Sequence, residues 1–140
     1  MANNYEQLTK DLHGYFSQNQ LDKCMEMAAD DVKVIAYAVG MTFNGKNEFK
    51  AFMEGFKNAI PDMAIQHTNI LSNGNRVAVE FTVTGTHTGE LMTPSGAIPP
   101  SGKSINLNVA EFVEWTDNGK FKLITNYQDI GNLLRQIGAM

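Results

Sequence analysis

Cysteine is almost missing: the 140 residues contain one, Cys24. No intrachain disulfide can form, so a disulfide-stapled scaffold is excluded. Positive charge is also scarce. There are 11 Lys and Arg against 15 Asp and Glu, a formal net charge of −4, and the cations are scattered singly. Phosphate contacts need a basic stripe, so no nucleic-acid partner is expected. The same scarcity argues against a polybasic membrane attachment. Three histidines and the lone cysteine lie far apart, and no metal-ligand motif is present. The longest mostly apolar stretch, 32–41, is far shorter than the roughly 20 residues a membrane span needs. No apolar leader region follows Met1, which makes a cytoplasmic protein the expectation. No GxGxxG, GxxxxGK[ST] or GxSxG motif occurs. Neither a bound nucleotide nor a serine nucleophile is implied, and no cofactor is expected.

What is present is ordinary for a soluble protein: 43% hydrophobic and 19% charged residues. The length suits a single domain over 1–140, with one core and room for one pocket. Tyr5, Leu8, Leu12, Tyr15 and Phe16 recur at helical spacing. Leu21, Cys24, Met25 and Ala28 form a second, shorter stripe that ends at Asp30 and Asp31. VKVIAYA (32–38) reads as a strand and NGK (44–46) as a turn. Phe49, Phe52, Met53, Phe56 and Ile60 mark a third helix, stopped by Pro61. Beyond it the period falls to two. Residues 63–71, then Val77, Val79, Phe81 and Val83, then Ile105, Leu107 and Val109, and finally FKLITNYQ (121–128) read as strands. MTPSGAIPPSG (92–102) reads as a long loop. Turns at SNGN (72–75) and TDNG (116–119) suit hairpins. The expected fold class is α+β: three N-terminal helices on one face of a curved antiparallel sheet.

Four segments in this order carry a family resemblance: PDM (61–63), GTHTGEL (85–91), IPPSGK (98–103) and NYQDIGNLLRQIG (126–138). From about Asn19 to Gly138 the chain resembles the SnoaL-like polyketide cyclases, the ester-cyclase branch of the NTF2-like superfamily. The resemblance implies a cone-shaped sheet wrapped around a pocket, helices capping it, and a homodimer formed through the outer sheet face. It also implies cofactor-free chemistry on a small apolar carbonyl compound. A carboxylate removes a proton α to a carbonyl, and the enolate closes a ring by aldol addition.

Asp129 is the first candidate for that carboxylate. It is flanked by apolar segments that would leave it poorly solvated and more basic. The plainer alternative is an aspartate capping the C-terminal turn. The resemblance favours the general acid/base role. Thr125 and Tyr127 share strand parity with Asp129 and are expected to face the same side as substrate contacts. Tyr127 is otherwise a core aromatic. Thr125 stands where many relatives carry an aromatic residue, which would widen the pocket. His87 is a candidate proton shuttle and His67 a candidate substrate contact, each weighed against a histidine bonded to backbone. His13 reads as a surface or packing residue. Asn106 and Asn108 share one strand face, either inward as ligand contacts or outward in solvent. Glu111 falls on the opposite parity, with Ile105 and Leu107, and reads as a strand-end surface residue rather than a second pocket carboxylate. Phe52 and Phe56 belong to a Met and Phe stripe that either packs or lines the pocket. Two other functions stay open: a pocket that binds a small ligand without turning it over, and a dimeric domain of unknown role.

Overall fold

The computed structural model describes residues 4–140. Helices α1 (Tyr5–Ser17) and α2 (Leu21–Glu26) lead into strand β1 (Ala28–Ala36). A short turn of 3-10 helix precedes β2 (Met41–Asn44), and α3 (Gly45–Ala59) follows. The remainder is β3 (Ala64–Asn73), β4 (Arg76–Thr86), the short β5 (Leu91–Thr93) and β6 (Gly96–Ile98), β7 (Ser104–Trp115), β8 (Phe121–Gln128) and α4 (Ile130–Gln136). The six long strands form one sheet in the order β2-β1-β8-β7-β4-β3, while β5 and β6 pair as a separate hairpin. Neighbours run antiparallel except β1 and β8, which are parallel.

Alternation decides which face is buried. On β7, Ile105, Leu107, Val109, Glu111, Val113 and Trp115 are buried, while Asn106, Asn108 and Phe112 are exposed. On β4 the buried set is Val77, Val79, Phe81 and Val83. Against this face α1 brings Leu12, and α3 brings Phe49 and Met53. Each such side chain contributes about 1.5–3 kcal/mol by leaving water. Trp115 anchors one end of this core. Its indole N–H donates to Thr9 Oγ1 at 3.1 Å, and that hydroxyl donates to the Tyr5 carbonyl at 2.8 Å. The buried indole is thus satisfied by the helix that covers it.

Three expectations are corrected. There are four helices among the described residues, because the tail after β8 forms α4 with Asp129 as its N-cap. The second helix stops at Glu26, and Ala28 already pairs with Phe121 of β8. Long-range strand pairing overrides the local helical spacing there, and Asp30 and Asp31 fall where the register shifts. The 92–102 loop contains a β-hairpin turning at 94–95. No helix among the described residues is long and apolar enough to cross a membrane.

Candidate functional site

The concave face of the sheet and the helices above it enclose a cavity with about 550 Å³ of unfilled space, part of it open to solvent. Its wall is mostly carbon, including Phe16, Phe49, Phe56 and Leu107. At one end lie His13, Glu111 and Asn126. A second cavity, with about 830 Å³ of unfilled space that includes open solvent and lined by Val39, Met41 and Leu91 among others, shares Phe52, Phe56 and Gln128 with the first. These three side chains are common to both walls; the chamber with the polar end is the inner one and the other the outer.

The polar end is a connected chain of hydrogen bonds. Glu111, 6% exposed, is carried inward by the alternation of β7. His13, 5% exposed, projects from α1, and its Nε2–H donates to Glu111 Oε1 at 2.7 Å. Asn126, 3% exposed, sits on β8 directly opposite Glu111 and donates from Nδ2 to Oε2 at 2.6 Å. Behind His13, away from the cavity, His67 of β3 brings its Nε2 to 2.8 Å from His13 Nδ1. The two rings lie within 7° of one plane, with centroids 5.0 Å apart. That separation matches an N···N hydrogen bond plus two ring radii, so the rings meet edge to edge. Burial, and then the neighbouring His13 and Lys10, depress the His67 pKa from 6.5 to about 4, with Glu111 opposing. His67 is therefore neutral at neutral pH. With Nε2 protonated it donates to His13 Nδ1, which leaves the His13 Nε2–H as the donor to Glu111 Oε1. Two donors thus converge on one buried carboxylate, which keeps further lone pairs free.

The candidate residues fall in several places. Phe52 and Phe56 line both chambers. His67 reaches the polar cluster only through His13. His87 is buried outside both linings. Its Nδ1 accepts from the Ser101 backbone N–H at 3.2 Å and lies 2.9 Å from Ser101 Oγ. Asn106 and Asn108 are exposed, and the Asn106 backbone is paired with the Gln136 side chain. Thr125 and Tyr127 do share a side, as parity requires, but it is the outer one, and Asp129 lies beyond the strand as the N-cap of α4. Tyr127 is 44% exposed and stacks on Tyr37.

Asp129 is exposed, and its carboxylate accepts from the Asn132 backbone N–H at 3.2 Å. The expectation that it is poorly solvated is corrected. Its neighbours Gln128 and Ile130 line the outer cavity, while Asp129 itself is in neither lining. The surface reading of Glu111 is corrected too, and of the two readings of His13 the surface one falls, since both residues are buried in the cavity wall. The signal for Glu111 was present as its phase: it is in step with Ile105, Leu107 and Val109, which places it on the buried face of β7. Asn126 carries the same signal in step with Ile124. Among the described residues no group of three or more His, Cys, Asp or Glu is placed to hold a metal ion.

Solved structures with the same fold cover nearly the whole chain. AclR from Streptomyces galilaeus, a candidate hydroxylase, aligns with a TM-score of 0.82 at 22% identity, covering 97% of this chain and 85% of that one. A candidate SnoaL-like polyketide cyclase from Jannaschia sp. CCS1 gives 0.82 at 17% identity, covering 100% and 98%. IdmH from Streptomyces antibioticus, a candidate polyketide cyclase, gives 0.81 at 19% identity, covering 97% and 99%. No curated protein sequence matches. At these identities the structural likeness establishes the NTF2-like fold, and the sequence itself matches the SnoaL-like polyketide cyclase description over residues 7–137. The chain therefore belongs to the SnoaL-like polyketide cyclase family.

Proposed function

We propose that this protein performs cofactor-free acid–base chemistry on a small, apolar carbonyl compound held in the inner cavity, with Glu111 as the proton acceptor. The observation that carries the reading is a buried carboxylate in a carbon-lined cavity, held from two sides by His13 and Asn126. Glu111 takes a proton α to the substrate carbonyl. The enolate adds to a second carbonyl, and the proton returns to the new oxygen. Such protons are acidic enough, when two carbonyls flank them, for one positioned carboxylate to suffice. His13 and Asn126 fix the carboxylate, and the apolar wall keeps out competing water. Asp129, which the family resemblance puts forward as the base, is the competing candidate, lying between two residues that line the outer cavity.

The test is turnover and ligand binding on a panel of β-dicarbonyl compounds. Glu111→Gln is expected to lose turnover and keep binding, while Asp129→Asn, which preserves the cap, is expected to keep both. The reverse pattern assigns the chemistry to Asp129. One observation favours a second reading: both Glu111 oxygens are already bonded, as in a purely structural carboxylate. On that reading the cavity binds ligand without chemistry, and the wild type shows affinity but no turnover.

The assembly proposed is a homodimer through the outer sheet face. Phe112, Tyr127 and Tyr37 are exposed there, with Tyr37 and Tyr127 stacked at 4.8 Å and Phe112 edge-on to Tyr127 at 6.1 Å. An aromatic cluster on an outer face is a surface that association would bury.

A further inference from the structure

We infer that the inner cavity selects apolar ligands bearing a hydroxyl or enol hydroxyl, and that Asn126 Oδ1 is the atom that reads it. The inference deepens the proposed function, resting on the same cavity as the ligand site. Asn126 lines the cavity, is almost wholly buried, and its Oδ1 has no hydrogen-bond partner among the described residues. The amide orientation is fixed chemically. Glu111 Oε2 accepts from the amide at 2.6 Å, and a flipped amide would set oxygen against carboxylate oxygen.

An unpaired buried acceptor carries a desolvation penalty, which a ligand donor removes. Asn126 Oδ1 and the Glu111 carboxylate stand side by side, and both only accept. A ligand carbonyl or ether oxygen placed there is repelled, whereas an O–H is drawn in. Donors for a ligand carbonyl lie elsewhere. Gln128, two residues along the same inward face of β8, opens onto both chambers. The ligand thus sits with its hydroxyl at the deep end and its apolar body directed past Phe52 and Phe56 toward the outer chamber.

The experiment measures equilibrium binding of 2-naphthol, 2-methoxynaphthalene and naphthalene at neutral pH, where naphthol keeps its proton. Wild type is expected to bind 2-naphthol about tenfold or more tightly than either analogue. Naphthalene controls for the bulk of the added methyl group. In Asn126→Leu the naphthol advantage is expected to vanish while naphthalene binding is retained. Equal binding of naphthol and naphthalene by wild type overturns the inference, whether or not the variant folds. So does a naphthol preference that survives in folded Asn126→Leu, or failure of all three probes to bind at millimolar concentration. The two readings separate cleanly. Hydroxyl preference without α-proton exchange removes Glu111 as base and leaves this inference standing. Exchange without hydroxyl preference does the reverse.

Discussion

Glu111 is a carboxylate set in a wall of carbon, and hydrogen bonds from His13 and Asn126 make that tolerable. Removing His13 leaves it with one donor. His13→Ala is expected to destabilise the fold by about 2–3 kcal/mol, the worth of a hydrogen bond to a buried charged group, measurable by urea unfolding. His67 adds a pH dependence. Its folded pKa of about 4 lies below its ordinary 6.5, so the unfolded chain takes up the proton first. The stability His67 contributes is present above about pH 6.5 and falls as the pH drops toward 4. His67→Asn is expected to flatten stability against pH in that window. An unchanged slope contradicts the neutral assignment. At this scale the sequence was only partly legible. The parity that put Glu111 in step with the buried positions of β7 was visible, but a lone glutamate among apolar neighbours reads as surface until its partners are known. Those partners come from α1 and β8, far away in the chain, and no local pattern pairs them.

At the scale of elements, the site depends on how β4 is held against the end of α3. Two glycines of the GTHTGEL segment explain themselves by crowding. A Cβ at Gly89 would lie 1.8 Å from the Asn58 carbonyl oxygen, and one at Gly85 would lie 2.4 Å from Ile60 Cγ2. Asp62, from the PDM segment, completes the junction by accepting from the Thr86 backbone N–H at 2.8 Å and its hydroxyl at 2.9 Å. Those hydrogen bonds hold the Asp62 carboxyl below its usual range. Gly89→Ala is expected to cost about 2–3 kcal/mol, since the obstacle is backbone and cannot swing aside. A thermal melt equal to wild type contradicts the close approach. The strands were legible here because one buried face imposes a period of two. The early end of α2 and the β5–β6 hairpin were not, because tertiary pairing rather than local spacing sets them.

For the whole molecule, helices over a curved sheet leave one face for the cavity and the other bearing exposed Phe112 and Tyr127, the proposed interface. Tyr127→Glu, which puts charge into the outer aromatic cluster, is expected to convert a dimer into a monomer in sedimentation at micromolar concentration. A wild type that sediments as a monomer removes the proposed interface. The fold was readable as α+β with the helices on one side. The pocket was not, because concavity arises from how the strands curve together rather than from any residue run. The proposed base, likewise, is sought at the last strand's end by resemblance, whereas the burial of Glu111 in the cavity wall is visible only from the packing. The most direct measurement is deuterium uptake from D₂O into the α position of 2-tetralone, followed by NMR. Wild type is expected to accelerate uptake over the buffer rate, Asp129→Asn to match wild type, and Glu111→Gln to fall by about a hundredfold or more. Uptake that survives in Glu111→Gln and disappears in Asp129→Asn would contradict the assignment of the base to the cavity.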